Sequence, residues 1–307
     1  MRPTLFRPAA LAGYAGLPVL ALVLVLVLVP DTAGAQSYGV YGNINATATL
    51  QLPGQPSQDS YLVDNFGFTD KPQALLPNTL GQVATVSNGG TATALFKGSI
   101  GSLKAYSFAA FPRGYDDQGR NLFTGYANGS AQGSFADVVR VAGAGLALGT
   151  PVSYRVDFSI DGTRSSPIFE IGGFLSTAAV ANVRLGDQQS GQQVTFNWDA
   201  DRNAPGLYSL TLATQVGHTL QLVGSLATSA GVTWYAQTGR SAEADFYHSA
   251  LYTLSPSVAG LNTVGASGHD FMTAVPEPST WALLTLGLAA LHLRRRHGSL
   301  ARTLSRP

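Results

Sequence analysis

The stretch SAEADFYH carries two acidic side chains two residues apart, Glu243 and Asp245, with Tyr247 next in the same alternation. On a strand these three share a face, and carboxylates at such spacing stand about 6 to 7 Å apart. That overlaps the separations used in glycoside hydrolysis. The competing account is a solvated edge strand whose charge resists edge-to-edge aggregation, and nothing else in the sequence singles out the pair for catalysis. A second acidic group, Asp199, Asp201 and Asn203 in WDADRN, sets oxygens at positions 1, 3 and 5, as calcium loops do. Ala204 then stands where such a loop needs glycine and Leu210 where it needs a bidentate glutamate, so a polar hairpin loop is the better account. Asp116-Asp117-Gln118-Gly119 reads as a turn. Gly143-Ala144-Gly145 and Gly149 follow the apolar Val138–Val141 and mimic a dinucleotide loop, but a strand pattern follows at once and leaves no helix to hold a phosphate.

The five histidines, at 218, 248, 269, 292 and 297, show no metal-ligand spacing and read as exposed loop residues. His269-Asp270 resembles one side of a catalytic triad, yet no G-x-S-x-G turn exists to supply the nucleophile. Thr47/Thr49 and Thr91/Thr93 each place two threonines on one strand face, an ice-facing device when repeated. Here the pairs are isolated, and threonine is a good strand former anyway. Trp198, Trp234 and Tyr235 are candidate platforms for stacking on sugars, with core filling as the commoner use of such rings. From these residues no cofactor and no metal are expected, and the chain is expected not to be an enzyme.

The elements that would position these groups are strands. In VSYRVDFSI, Val152, Tyr154, Val156, Phe158 and Ile160 alternate with polar residues, the period-two mark of a half-buried strand. Asp161-Gly162 follows as a hairpin turn signal, and Asn88-Gly89 separates QVATVS from TATALF in the same way. Further strands are expected at 195–198, 208–212, 219–223, 232–237 and 242–248, while 52–77, rich in Pro, Gln and Asp, reads as a long loop or a subdomain seam. No amphipathic helix of three turns is evident between the two ends. The expected fold is all-β, an antiparallel β-sandwich or jelly roll of one or two domains over residues 36–272.

Both ends depart from this grammar. Arg2 and Arg7 precede an unbroken apolar run, Val19–Val29, and then Ala33-Gly34-Ala35 before Gln36. These are the marks of a secretory signal peptide over 1–35, cut by signal peptidase between Ala35 and Gln36. Seven of the 18 basic residues belong to the two ends, leaving eleven Lys and Arg against fifteen Asp and Glu over 36–275. No clustered basic face for nucleic acid is present. The chain holds no cysteine, which excludes disulfides, thiolate metal sites and thiol nucleophiles.

At the other end Val275-Pro276-Glu277-Pro278 precedes an apolar stretch with Trp281, Leu283, Leu284, Leu286, Leu288, Leu291 and Leu293, then Arg294-Arg295-Arg296. Fifteen residues from Ser279 make a helix of about 22 Å, short for a hydrocarbon core of about 30 Å. The flanks favour a short transmembrane helix: the arginines would stop translocation on the cytoplasmic side, with Trp281 at the opposite interface. The two prolines hold Val275 and Glu277 extended. This order of parts resembles the PEP-CTERM sorting signal of exported Gram-negative bacterial proteins, over residues 273–297, with 298–307 as a basic cytoplasmic tail longer than usual. The tail is also similar to segments described as a C-terminal domain of ice-binding proteins, a description that assigns no activity.

What the resemblance implies is recognition at Pro276-Glu277-Pro278 by an exosortase, an integral-membrane cysteine protease. Transient anchoring in the inner membrane and then transfer to the cell surface or extracellular matrix would follow. The expectation is an exported structural or adhesive protein in an exopolysaccharide or biofilm setting. A cell-surface carbohydrate-binding module is the alternative; a glycoside hydrolase or an ice-binding protein fits less well.

Overall fold

The computed structural model describes residues 38–69, 80–85, 89–112, 114, 118, 122, 124–170, 173–233 and 240–272. Thirteen strands run through them: β1 Gly39–Gln51, β2 Gln58–Thr69, β3 Leu80–Thr85, β4 Thr91–Ser99, β5 Ser102–Phe111, β6 Thr124–Arg140, β7 Pro151–Arg164, β8 Ile168–Glu170, β9 Gly173–Asp187, β10 Gln193–Asp199, β11 Gly206–Gln215, β12 Thr219–Thr233 and β13 Arg240–Pro256. The first sheet has the order β10-β9-β12-β6-β1-β2, with β8 beside β9; the second is β11-β7-β13-β5-β4-β3. All pairings are antiparallel, and the sheets face each other across one core, the sandwich expected of alternating sequences. The 152–160 alternation holds residue by residue, with Val152, Tyr154, Val156, Phe158 and Ile160 buried. The expected hairpin across Asn88-Gly89 is present as β3 and β4, from Leu80↔Phe96 to Thr85↔Thr91; residues 86–88 lie outside the described ones.

Four local expectations are corrected. The 52–77 stretch contains β2, which pairs with β1 from Leu50↔Gln58 to Gly39↔Thr69. As the last strand of its sheet it has one neighbour, so it tolerates Tyr61, Leu62 and Val63 in solvent and lacks the alternation that marks a half-buried strand. Asp161-Gly162 is not a turn: β7 runs through it, pairing Asp161 with Ser249 and Thr163 with Asp245. The expected strands at 219–223 and 232–237 are joined through one 15-residue strand, β12; 234–239 lie outside the described residues. The WDADRN segment does not close a hairpin, because β10 belongs to the first sheet and β11 to the second, so residues 200–205 cross between them.

At Gly162 the correction has a cause. Between its pairs Phe246↔Ala105 and Ala250↔Leu103, β13 carries two more residues than β5 does, and the extra chain bulges against β7. A Cβ on Gly162 would strike the Phe246 ring and stand 2.5 Å from the carbonyl oxygen of Asp245. Gly162→Ala is expected to cost about 1 to 3 kcal/mol by overpacking, read as a lower urea midpoint with an unchanged denaturant slope.

One part of the interior is rich in small residues (Ala46, Ala48, Ala92, Ala109, Ala127, Ala230, Ala242) beside Leu50, Phe111, Leu175 and Val232, and the other holds Trp198, Tyr154, Tyr252, Phe135, Phe158, Phe246 and Phe271. Residues 257–272 cross the end of the large-residue part as a strap, bridging Val139 to Gly265 and Gly143 to Leu261. The strap inserts Leu261 and Phe271 into the core. Asp137 pins it: its carboxylate accepts from Ser267 Oγ at 2.5 Å and from the N–H of Ser267 at 3.3 Å. Burial raises the Asp137 pKa even so.

Asp187, buried at the end of β9, accepts from Thr214 Oγ1 and His218 Nδ1, each at 2.7 Å, and from the N–H groups of Gln189 and Ser190. Burial alone would raise its pKa, but those bonds outweigh it and hold the carboxyl at about 2. The folded value lies below the unfolded one, so Asp187 contributes about 2 kcal/mol above roughly pH 4, lost as pH falls through about 2. The stability gap between the wild type and Asp187→Asn is therefore expected to shrink steadily from pH 4 to pH 2 in urea titrations; a gap independent of pH would contradict this assignment.

Candidate functional site

The outward side chains of the first sheet form a nearly uncharged face. On β1, Ile44, Ala46, Ala48 and Leu50 enter the core, so Tyr41, Asn43, Asn45, Thr47 and Thr49 point away from it. On β6 the same rule exposes Tyr126, Asn128, Ser130 and Gln132. The registers stack these into cross-strand rows over β2, β1, β6, β12 and β9. One row runs Tyr61, Thr47, Asn128, Gly231, Ser176; the next is Val63, Asn45, Ser130, Ser229, Ala178; the third is Asn65, Asn43, Gln132, Ala227, Val180.

Relief comes from side-chain length. On β12, Ala227 and Ser229 are outward yet buried between longer neighbours, so they and Gly231 floor a shallow trough. A Cβ at Gly231 would stand 3.0 Å from Ser176 Oγ and 3.2 Å from Asn128 Oδ1, which marks where two polar groups converge over bare backbone. Asn43 Nδ2 donates to Asn65 Oδ1 at 2.6 Å, and Thr47 Oγ1 to Asn45 Oδ1 at 2.9 Å, so these side chains are held in place before any ligand arrives. Tyr61, 72% exposed, begins the first row on β2, Tyr126, 39% exposed, stands on β6 in the adjoining row with Thr49 and Asp59, and the Tyr41 ring lies against Gly67. Amides and hydroxyls both donate and accept, and a tyrosine offers a flat apolar face with a polar tip. Together they suit a ligand rich in hydroxyl groups and without charge.

The groups singled out in the sequence are placed elsewhere. Glu243, Asp245 and Tyr247 do share an outward face, on β13, but β13 is a central strand of the second sheet, so the edge-strand account is corrected. Their neighbour on β5 is Tyr106, whose hydroxyl is pushed up to about 12 by burial, by its hydrogen bond to Glu243 and by the charges of Glu243 and Asp245. Asp245 Oδ1 accepts from the Tyr247 N–H at 3.0 Å, and the Glu243 backbone donates to Ser165 Oγ at 3.1 Å and accepts from the Ser165 N–H at 2.8 Å. In the 199–203 segment the oxygens are spent on the loop itself: Asp199 Oδ1 takes the Asp201 N–H, Asn203 Oδ1 takes the Asp199 N–H, and Asp201 pairs with Arg164. Among the described residues no three His, Cys, Asp or Glu side chains form a group that could hold a metal ion.

Of the described histidines, neither His218 nor His269 is the loose surface group expected. His218 is tied to Asp187, and His269 is buried edge-on to Phe271 at 4.6 Å, its pKa lowered by burial. Asp270 accepts from Thr263 Oγ1 at 2.7 Å and from the Met272 N–H at 3.0 Å. Trp198 is core, 1% exposed, donating to Ala204 O at 3.0 Å, and so is no sugar platform. The threonine pairs face outward on different sheets, Thr47/Thr49 on the first and Thr91/Thr93 on the second, so they do not merge into one array. Gly143, Gly145 and Gly149 sit in a loop with no helix after it. Trp234, Tyr235, Asp116 and Asp117 lie outside the described residues, as does the side chain of His248.

The amide and hydroxyl face was missed although its signal was available. In YGNINATAT the polar side of the alternation is entirely tyrosine, asparagine and threonine, and in YANGSAQ it is Tyr126, Asn128, Ser130 and Gln132, again without charge. What the sequence does not say is that these two segments are neighbours.

Residues 274–296 match the family model of the PEP-CTERM protein-sorting motif. No curated protein and no solved structure matches the chain. The motif marks an exported protein that is anchored transiently in the membrane and processed by an exosortase. Val275, Pro276, Glu277 and Pro278, the apolar stretch from Trp281 to Leu293 with its expected transmembrane helix, and Arg294, Arg295 and Arg296 all lie outside the described residues. So do the signal peptide, Ala33, Ala35 and Gln36, and the tail 298–307. Mass spectrometry of the protein recovered from its native host is expected to find an N-terminus at Gln36 and no peptide from 279–307; an intact tail on the mature protein would contradict processing.

Proposed function

We propose that this chain is a non-enzymatic component of the cell surface or extracellular matrix, held in a neutral exopolysaccharide through the outer face of the first sheet. One observation carries the reading: the rows of Asn, Thr, Ser and Gln between Tyr61, Tyr126 and Tyr41, on a face whose central three rows hold no charged side chain. Polysaccharide hydroxyls would exchange hydrogen bonds with the fixed amides, while sugar C–H faces would lie on the tyrosine rings. A shallow trough suits a long chain bound along its side. The exosortase motif supports it as well, since such processing would deliver the sandwich to the place where polysaccharide accumulates.

A glycan array on the mature protein, followed by affinity measurement on the best neutral polysaccharide, tests the proposal. Tyr61→Ala and Tyr126→Ala are each expected to weaken binding about 2- to 13-fold, the value of one aromatic contact of about 0.5 to 1.5 kcal/mol. Glu243→Gln with Asp245→Asn is expected to leave binding unchanged. Failure to bind any glycan would overturn the reading, and release of new reducing ends that the double variant abolishes would put a hydrolase in its place.

A further inference from the structure

The end of the sandwich from which the sorting motif departs has its own surface chemistry. Four segments are bonded together there: the loop 141–150, the polar turn 188–192, the turn 216–218 and the strap 257–272. Gly149 N–H donates to Val216 O, Gly217 N–H to Val141 O, and Asn262 N–H to Ala142 O. The loop and the strap expose apolar side chains, Leu148 at 81%, Met272 at 62%, Val264 at 43% and Val258 at 39%, while the turn 188–192 at their edge is polar. The loop sequence VAGAGLALGT contains no charge, and in the strap the only Asp, Glu, Lys or Arg is Asp270. Arg140 stands exposed where β6 enters this end. The lateral faces differ, with amides and hydroxyls on the first sheet and Lys97, Glu243, Asp245, Arg155 and Asp157 among the groups on the second.

The covalent chain says what this end meets. Phe271, fully buried, is the last core residue among the described ones, and the sorting motif begins at residue 274. From Met272 to Ser279, where the apolar stretch starts, seven residues span at most about 25 Å fully extended. The headgroup zone takes up about 5 to 8 Å of that reach. A body tethered so closely experiences the bilayer at an effective concentration of millimolar order, at which a small apolar patch suffices for contact. The exposed Leu148, Val258, Val264 and Met272, with a cationic Arg140 beside them, have the chemistry of an interfacial surface.

We infer that the strap end of the sandwich is a lipid-contact surface, seated on the membrane while the sorting motif anchors the chain. The glycan face, at right angles to it, stays free during that stage. Seating orients the body and keeps the segment from Met272 to Pro278 at the membrane surface, where a membrane protease works.

The absence of cysteine makes the test direct, because single cysteines can be placed and labelled with an environment-sensitive fluorophore. Leu148→Cys and Val264→Cys report the strap end, and Gln55→Cys reports the turn after β1, at the opposite end. Each full mature chain, residues 36–307, is reconstituted through its own tail into vesicles of phosphatidylethanolamine and phosphatidylglycerol. Quenching by spin-labelled lipid is expected to be at least 3-fold stronger at 148 and 264 than at 55. Equal quenching at the three positions, or none at any, would overturn the inference. Protection of 148 and 264 that appears only when exosortase is added would also overturn it, in favour of a protein contact. None of these outcomes depends on glycan binding.

Discussion

The two sheets come close to backbone contact along β6, and the remainder of the sandwich is arranged around that approach. The inward side of β6 reads Gly125, Ala127, Gly129, Ala131, Gly133 before the first large residue, Phe135. A Cβ on Gly129 would strike the Thr93 carbonyl oxygen of the opposite sheet and stand 2.8 Å from that of Phe108. A Cβ on Gly125 would meet the Phe111 ring, and one on Gly133 the Phe96 ring. Sheets in a sandwich ordinarily stand about 10 Å apart with side chains filling the gap. Here small residues on β1, β4, β5, β12 and β13 let the gap narrow. The inter-sheet hydrogen bond between Ser107 and Thr228, at 2.8 Å and buried, bridges the same region.

That narrowing has consequences at the other end. Beyond Phe135 the sheets diverge around aromatic residues, with Phe135 edge-on to Tyr252 at 4.9 Å and Phe158 against Tyr252 at 5.1 Å. A widening sandwich needs a lid, and the strap with Leu261 and Phe271 supplies it. Asp137 joins the lid to β6, and Asp187 ties together the ends of β9, β11 and β12. Without disulfides, these bonded carboxylates and the aromatic cluster hold the end that lies next to the sorting motif.

Function divides along the same lines. The lateral outer face of the first sheet carries amides and hydroxyls across its three central rows, which alternate along each strand with the small core residues that permit the close approach. The strap end is apolar because it is made of short loops rich in glycine and alanine. A proposed glycan contact and an inferred lipid contact thus occupy surfaces that do not compete.

Alternation made the strands legible: β7 and the β3–β4 hairpin follow from their own residues, since local sterics and period-two burial act within a few residues. The sorting motif was legible for a similar reason, being a linear signal that needs no folded partner. The edge strand β2, the bulge opposite Gly162 and the crossing at 200–205 were not, because each depends on which strand lies beside it. The same holds for the candidate site. Tyr41, Asn45 and Thr47 announce an outward polar side, but only the pairing of β1 with β2 and β6, across chain separations that no local pattern encodes, turns those residues into one face. The address is therefore written in the sequence, while the surface it delivers exists only once long-range register has brought distant strands together.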